Sequence, residues 1–188
     1  MEDRAVMAAA NDKCMRHARP TRAGAPSILD PRSSILVFVL ALVFCAAARA
    51  GDLPEKFDPA RDAAADVAHA LALAKAGGKR VIVDVGGEWC SWCHVLDRFV
   101  DSNADVRALL DARYVWVKVN YSRENRNTQL LARWPKIAGY PHLFVLDASG
   151  RLLHSQDTSL LESGKGYDRR KFIDMLKRWA PLATPIHA

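Results

Sequence analysis

Hydrophobic positions after residue 50 change repeatedly from helical spacing to continuous runs typical of buried strands. A first helix is predicted to begin at Asp58 and Pro59, which suit the N-cap and the first helical position. Apolar residues then recur at helical spacing until Gly77 and Gly78 end the run. Residues 80–85 follow as a short apolar run, which predicts a buried strand.

The rest of the chain continues this alternation of helices and strands. In order, the pattern predicts a helix after residue 90, a short helix over 105–112, a strand over 114–119, a helix from Ser122 to about Trp134, a β-hairpin of strands 142–146 and 151–154, and an amphipathic helix over 168–179. This order is a βαβ half followed by a ββα half. It predicts an α/β fold in which a mixed sheet of about four strands is flanked by helices.

The N-terminal fifty residues have a different character. Residues 35–48 form an unbroken apolar run after several arginines, and the small residues Ala48 and Ala50 flank Arg49 as in a cleavage site. The pattern predicts a secretory signal peptide cleaved near Ala50. An uncleaved membrane anchor is the alternative, although the run is shorter than the roughly 20 residues that span a bilayer. We therefore expect an extension over 1–50 and one globular domain over 51–188, which would be periplasmic or secreted and would contact a membrane only through an uncleaved extension.

Charge gives no indication of a nucleic-acid partner. The 188-residue chain has a formal net charge of +6, and half of the excess lies in the extension. The charges of the globular part are of both signs and interspersed, without the basic stripe typical of nucleic-acid binding.

Cysteine usage is the most specific chemical signal in the sequence. Of four cysteines, Cys14 and Cys45 lie in the extension, which leaves Cys90 and Cys93 in the globular part. A bond that closes so short a loop adds little stability, and two cysteines supply only half of the ligands of a tetrahedral zinc site. A structural or metal-binding pair is the alternative. At the start of a helix the backbone N–H groups favour a thiolate, so the pair indicates disulfide exchange without a bound cofactor or metal.

Over about residues 60–180 the chain resembles the thioredoxin superfamily. The strand at 81–84 leads into Glu88-Trp89-Cys90-Ser91-Trp92-Cys93, Lys118 lies in the next strand, and Tyr140-Pro141 directly precedes a hydrophobic strand, where the family has its cis-proline. The Ser-Trp dipeptide, His94 and the lack of an obvious first strand differ from thioredoxin itself. The chain is more similar to secreted and periplasmic thioredoxin-like proteins with a W-C-x-W-C-H motif.

The resemblance implies a role for each of these residues. Cys90 would be the attacking thiolate, Cys93 the resolving thiol, and a buried Asp84 would exchange a proton with Cys93. Protein thiols and disulfides would be the substrates, and a redox partner would reset the pair. The thioredoxin-like context of Asp84, Glu88 and Trp89 favours a reductase.

Several roles have a structural alternative. Asp84 could instead point to solvent, and Lys118 either pairs with it or lies along a sheet edge. Tyr140 and Pro141 would shape substrate binding, or the Tyr140 ring would only cover the cysteines. Residues 89 and 92, both tryptophan, are either a substrate-contact surface or a hydrophobic lid. We expect the two sulfur atoms to be exposed at the rim of a groove.

Two other function classes fit parts of the sequence. Cys90-Ser-Trp-Cys93-His94 also matches the haem-attachment pattern C-x-x-C-H, with His94 as one axial ligand and Met175 or a histidine as the other. However, this motif follows a strand, whereas small cytochromes are mainly helical. The second class is a thioredoxin-like binding or chaperone module in which the pair has lost its activity.

Overall fold

A computed structural model describes residues 52–182. Helices, strands and one 3₁₀ turn alternate along it: α1 (Ala63–Gly77), β1 (Arg80–Gly86), α2 (Ser91–Ser102), α3 (Ala104–Arg113), β2 (Tyr114–Asn120), α4 (Thr128–Leu131), β3 (His142–Leu146), β4 (Leu152–Asp157), the 3₁₀ turn (Thr158–Leu161), β5 (Glu162–Ser163), β6 (Gly166–Tyr167) and α5 (Arg169–Arg178). The four long strands form one sheet in the order β2-β1-β3-β4. Strand β1 is parallel to β2 and antiparallel to β3, and β3 is antiparallel to β4. The predicted mixed four-strand sheet flanked by helices is confirmed.

The side chains of β1 explain why helices cover both faces of this sheet. Val81, Val83 and Val85 point to one face, where they pack against α1. Ile82 points to the other face and packs in a second core with residues of α2, α3 and α5. Because side chains alternate along a strand, Asp84 and Gly86 lie on the Ile82 side, beneath α2.

The first helix begins later than predicted. Asp62, not Asp58, is its N-cap, because the Asp62 carboxylate accepts hydrogen bonds from the backbone N–H groups of Ala64 and Ala65. Asp58 instead accepts a hydrogen bond from the N–H of Ala60 and stabilises only a local turn. The predicted end is confirmed, since Gly78 is the C-cap in the left-handed conformation.

The helix predicted from Ser122 to Trp134 is wrong, because only α4 is helical there. Asparagine side chains bond to the backbone of this loop in place of a helical ladder: Asn120 Nδ2 donates to the Asn125 carbonyl, and Asn127 Nδ2 to the Asn120 carbonyl. Asn127 itself adopts a left-handed conformation with φ of 47°.

The C-terminal part contains elements that the pattern did not predict. Strand β4 continues to Asp157 because it pairs with the whole of β3, although its last residues are polar. The 3₁₀ turn and the β5-β6 hairpin follow before α5, whose predicted bounds are confirmed within one residue. Asp168 is its N-cap, and its side chain accepts a hydrogen bond from the N–H of Lys171.

The predicted signal peptide, its cleavage near Ala50 and the first two cysteines lie outside the described residues. Among residues 52–182, no helix has the length and apolar character needed to cross a membrane.

Candidate functional site

Cys90 and Cys93 lie at the start of α2 and form a disulfide bond with each other. Cys90 is the N-cap of the helix, and its Sγ accepts a hydrogen bond from the backbone N–H of Cys93 at 3.1 Å. This N–H and the helix dipole would stabilise negative charge on the same sulfur in the reduced pair.

The expectation that the pair is exposed at a groove rim is wrong. Cys90 is only 4% exposed and Cys93 1%. Aromatic side chains from three separate parts of the chain, Phe57, Trp92 and Tyr140, pack against the pair and cover it.

Phe57 belongs to the N-terminal segment, residues 52–62, which precedes α1 and crosses the site. Its backbone N–H donates to Glu88 Oε1 at 2.9 Å, and its ring centroid is 4.2 Å from Lys118 Nζ. Arg61 also donates a hydrogen bond to the backbone carbonyl of Asp52, and this bond joins the two ends of the segment. Sequence reasoning missed Phe57 because a single aromatic residue before a helix carries no periodic signal.

Gly86 allows the pair and Phe57 to approach the sheet closely. A Cβ atom at this position would lie 2.5 Å from Cys93 Sγ and 3.0 Å from Phe57 Cζ. Only glycine leaves room for both contacts.

Below the pair, Asp84 and Lys118 form a buried ion pair that extends to Asp97 of α2. Lys118 Nζ lies 3.1 Å from Asp84 Oδ2 and 2.6 Å from Asp97 Oδ1. Asp84 therefore points inward, and it is 1% exposed. Lys118 pairs with Asp84, although Lys118 lies on β2, an edge strand of the sheet.

Burial and charge act in opposite directions on these groups. Burial raises the pKa of the Asp84 carboxyl, and the nearby Lys118 opposes this rise only in part. Burial by itself would lower the pKa of Lys118, but the two carboxylates outweigh it and raise that pKa. Oδ1 of Asp84 has no hydrogen-bond partner among the described residues. Sequence reasoning missed Asp97, whose only signal is its place one helical turn after Cys93.

On the outer side of the site, Trp89 is 59% exposed. Its Nε1 donates to the Tyr121 carbonyl at 2.7 Å, and its ring packs edge-on against Tyr140. Tyr140 stacks on Tyr121 with 4.9 Å between ring centroids, and its peptide bond to Pro141 is cis. Burial, with Tyr121 nearby, raises the pKa of Tyr140 to about 12.

The two tryptophans of the motif have different surroundings. Trp92 is half-buried and packs edge-on against Tyr167, so it belongs to the cover of the pair. Trp89 instead presents its ring to solvent. The sequence does not distinguish the two because both flank a cysteine.

The haem alternative does not fit the positions of its ligands. Nε2 of His94 lies 2.9 Å from the Glu88 carbonyl oxygen, in hydrogen-bond contact. Met175 is buried in the apolar core beside Phe172 and Leu176 of α5. Within residues 52–182, no group of three or more His, Cys, Asp or Glu side chains is arranged to hold a metal ion.

Comparison with known proteins agrees with this geometry. Residues 62–148 match the family model described as thioredoxin-like. This region is a thioredoxin-like domain. The match starts at the N-cap of α1 and includes Asp84, both cysteines, Lys118 and Pro141.

Several solved structures are similar to this chain. A disulphide isomerase from Xylella fastidiosa Temecula1 is 25% identical and superposes with a TM-score of 0.57 over 68% of this chain and 97% of that chain. A thioredoxin from Thermus thermophilus is 29% identical, with a TM-score of 0.44 over 58% of this chain and 80% of that one. The DsbD C-terminal domain of Neisseria meningitidis, in its oxidised form, is 21% identical, with a TM-score of 0.48 over 63% and 96%. No curated protein matches the chain.

Proposed function

We propose that this protein is a thiol–disulfide oxidoreductase that exchanges disulfides with cysteines of exported proteins. The observation that carries the proposal is the position of the cysteine pair. Cys90 caps the N-terminus of α2, and Cys93 lies in the first turn of the same helix, on the side of the sheet that carries Asp84. The similarity to a disulphide isomerase of the same fold supports it.

The reaction would proceed in two exchange steps when the protein acts as a reductase. The Cys90 thiolate attacks one sulfur of a substrate disulfide, and the other substrate sulfur leaves as a thiolate that takes a proton from water. The Cys93 thiol then loses its proton and attacks Cys90 Sγ, which releases the first substrate sulfur as a second thiol. The substrate gains two electrons and two protons, and the pair becomes the disulfide seen in the structure.

Asp84 is the proposed acceptor of the Cys93 proton. Gly86, against which Cys93 Sγ packs, lies two residues further along β1 on the same face, about 7 Å away. Water would carry the proton over the part of this distance that the two side chains do not span. Lys118 then connects Asp84 to Asp97, whose side chain is 35% exposed and leads towards solvent.

The proposed direction is reduction, with a redox partner that resets the pair. The residues around the motif, Asp84, Glu88 and Trp89, support this direction because they resemble thioredoxin. Members of the fold span roughly −270 to −120 mV, and the dipeptide between the cysteines changes this value. Equilibration of the purified domain with glutathione buffers measures the potential. A value near the oxidising end would contradict the reductase direction.

The proposed location is periplasmic or secreted, on the basis of residues 35–50. Fractionation of cells that express the full chain, with N-terminal sequencing of the mature protein, tests both export and cleavage near Ala50. Cytoplasmic protein with an intact N-terminus would contradict export.

Trapping of a mixed disulfide tests the assignment of the two cysteines. A Cys93→Ser variant should retain a substrate on Cys90 as a covalent adduct, because the resolving thiol is absent. The matched Cys90→Ser variant should retain none. Non-reducing electrophoresis and mass spectrometry of the adduct provide the measurement, and equal trapping by both variants would show that the roles are wrong.

Burial of the pair favours one other function, a binding or chaperone module without redox activity. In such a module the native disulfide would resist reduction by glutathione until the domain unfolds. A thiol–disulfide oxidoreductase would instead be reduced under native conditions at a rate that is independent of low denaturant concentrations.

A further inference from the structure

The side chain of Tyr140 packs against the cysteine pair and also lines a surface groove of about 430 Å³. We call this groove the Tyr140 groove. The apolar walls of this groove come mainly from Tyr121, Trp134 and Ile137. Trp134 is held by its packing against Phe144 of β3, so one wall is fixed to the sheet. The groove therefore begins beside the reactive disulfide and has a firm apolar surface.

The charges of the Tyr140 groove are of one sign. Arg126 and Lys136 line it, both exposed, and none of its described lining residues is a carboxylate. Neither cation forms an ion pair within residues 52–182. A second groove of about 600 Å³, on the other side of Tyr121, differs in this respect, because Glu88 and Glu124 accompany its arginines. Arg126 lines both grooves, but of these two the Tyr140 groove alone has no carboxylate among its described lining residues.

We propose that the Tyr140 groove binds the part of a protein substrate next to its reactive cysteine, and that it selects segments in which an acidic side chain is flanked by apolar residues. This inference rests on the proposed function and adds the substrate class. Apolar residues bury surface against Tyr140 and Trp134, and the carboxylate meets Arg126 and Lys136. An extended chain advances about 3.3 Å per residue, so the position of the acidic residue that binds best reports its distance from the cysteine.

The expected preference is modest because both cations are exposed. One exposed charge pair changes an affinity by about threefold, so two together give about tenfold at low salt. The preference acts on binding and hence on KM, since neither cation touches the reacting sulfur atoms. It should decrease as salt rises, because the screening length falls to about 3 Å at 1 M salt.

A matched peptide series tests the inference. Each peptide is apolar, has one cysteine activated as a disulfide with the neutral leaving group 2-thiopyridone, and has Glu, Gln or Lys at one of the positions on either side. The reduced protein takes the peptide sulfur onto Cys90 and releases 2-thiopyridone, and Cys93 then releases the peptide thiol. Because each reduced pair reacts once, the release of 2-thiopyridone is followed by its absorbance in single-turnover reactions with excess peptide. The dependence of this rate on peptide concentration gives the maximal rate and the half-saturating concentration, taken here as KM. The Glu peptide should have a KM about tenfold lower than the Gln peptide at its best position, and the Lys peptide a higher KM.

Charge-reversal variants locate the effect. Each reversal removes one attraction of about threefold and adds a repulsion of similar size, so Arg126→Glu and Lys136→Glu should each abolish most of the preference for the Glu peptide. The double variant should prefer the Lys peptide. Arg133→Glu is the control, since Arg133 is exposed on the same segment but does not line the groove. If Glu, Gln and Lys peptides react with equal KM, or if Arg133→Glu has the same effect as the groove variants, the inference is wrong while the exchange activity stands. If no peptide reacts with the pair, the proposed function is wrong as well.

Discussion

Among single residues, Asp84 has the least common environment. It is a carboxylate buried under α2, with one oxygen bonded to Lys118 and the other without a partner among the described residues. Burial of an ionised carboxylate is unfavourable unless the group is paired and fully hydrogen-bonded, and Asp84 meets this condition with only one of its oxygens. The proposed exchange uses this carboxylate, because the proton that Cys93 releases needs a nearby acceptor that is not fully stabilised as an anion.

The first prediction concerns the pH dependence of stability. Since the folded-state pKa of Asp84 is raised, the folded protein holds a proton that the unfolded chain has lost above about pH 4. Wild-type stability should therefore fall, relative to an Asp84→Asn variant, as pH rises from about 4 through the folded pKa. The slope is at most about 1.4 kcal/mol per pH unit, and the difference is constant above that pKa.

Urea unfolding of both oxidised proteins across this pH range checks the prediction. The disulfide does not titrate, so the cysteines do not contribute to the difference. Parallel stability curves for the wild type and the variant would show that the carboxyl is not perturbed.

The second prediction concerns Gly86. A Gly86→Ala variant places a methyl group where Cys93 Sγ and Phe57 Cζ now lie, so it should lose about 1–3 kcal/mol of stability. Gly166→Ala is a suitable control, since a Cβ there meets nothing within 4 Å. Thermal unfolding of the two oxidised variants provides the comparison. Equal stabilities would mean that the site accommodates a side chain below the pair.

The residues that sequence could identify are those that local spacing indicates. The two cysteines are separated by one helical turn, and Asp84 interrupts an apolar strand, so both signals are visible within a few positions. Phe57 and Tyr121 reach the site from parts of the chain that are 33 and 31 positions from Cys90. Their roles depend on tertiary packing, which no periodic pattern reports.

At the scale of elements, the N-terminal segment is the part that most changes the description of the site. It has no regular secondary structure, yet Phe57 is buried to the same degree as the cysteines. It is also fastened to the loop after β2, because Asn125 Nδ2 donates to the Pro59 carbonyl. Hydrogen bonds to Glu88 and Asn125 thus hold it across the pair.

The third prediction follows from this packing. A Phe57→Ala variant should lose about 3 kcal/mol of stability and expose Cys93, whereas Phe57→Leu should retain most of the cover. Made in a Cys90→Ser background, the variants can be compared by the rate at which iodoacetamide alkylates Cys93. The expected order is Ala, then Leu, then wild type, from fastest to slowest. A Phe57→Ala rate equal to that of wild type would show that the segment does not protect the thiol.

The loop between β2 and α4 shows why one predicted helix failed. Its asparagines bond to the backbone and replace the helical ladder, a local effect that hydrophobic spacing does not report. The same loop provides Tyr121 and Arg126 to the grooves beside the site. The loop between β2 and α4, where the predicted helix was wrong, therefore contributes residues to the proposed substrate-binding groove.

On the scale of the whole molecule, topology brings the functional groups together. Strands β1 and β2 are parallel neighbours in register, so Asp84 lies opposite Lys118, and α2 follows β1 directly to place the cysteines above them. The order of elements along the chain was enough to predict this sheet, because few mixed α/β arrangements satisfy it. The cover of the pair was not predictable, since it joins side chains from three distant segments.

The burial of the disulfide also determines which thiols can exchange with it. Phe57, Trp92 and Tyr140 must shift before another sulfur atom can approach in line. A large ligand gains contact area elsewhere on the surface and can use that binding energy to move a ring. A small dissolved thiol gains little binding energy from such contacts, so most of its collisions with the protein end without exchange. In surroundings rich in such compounds, the pair would stay oxidised until one of the few thiols that fit the protein reduces it.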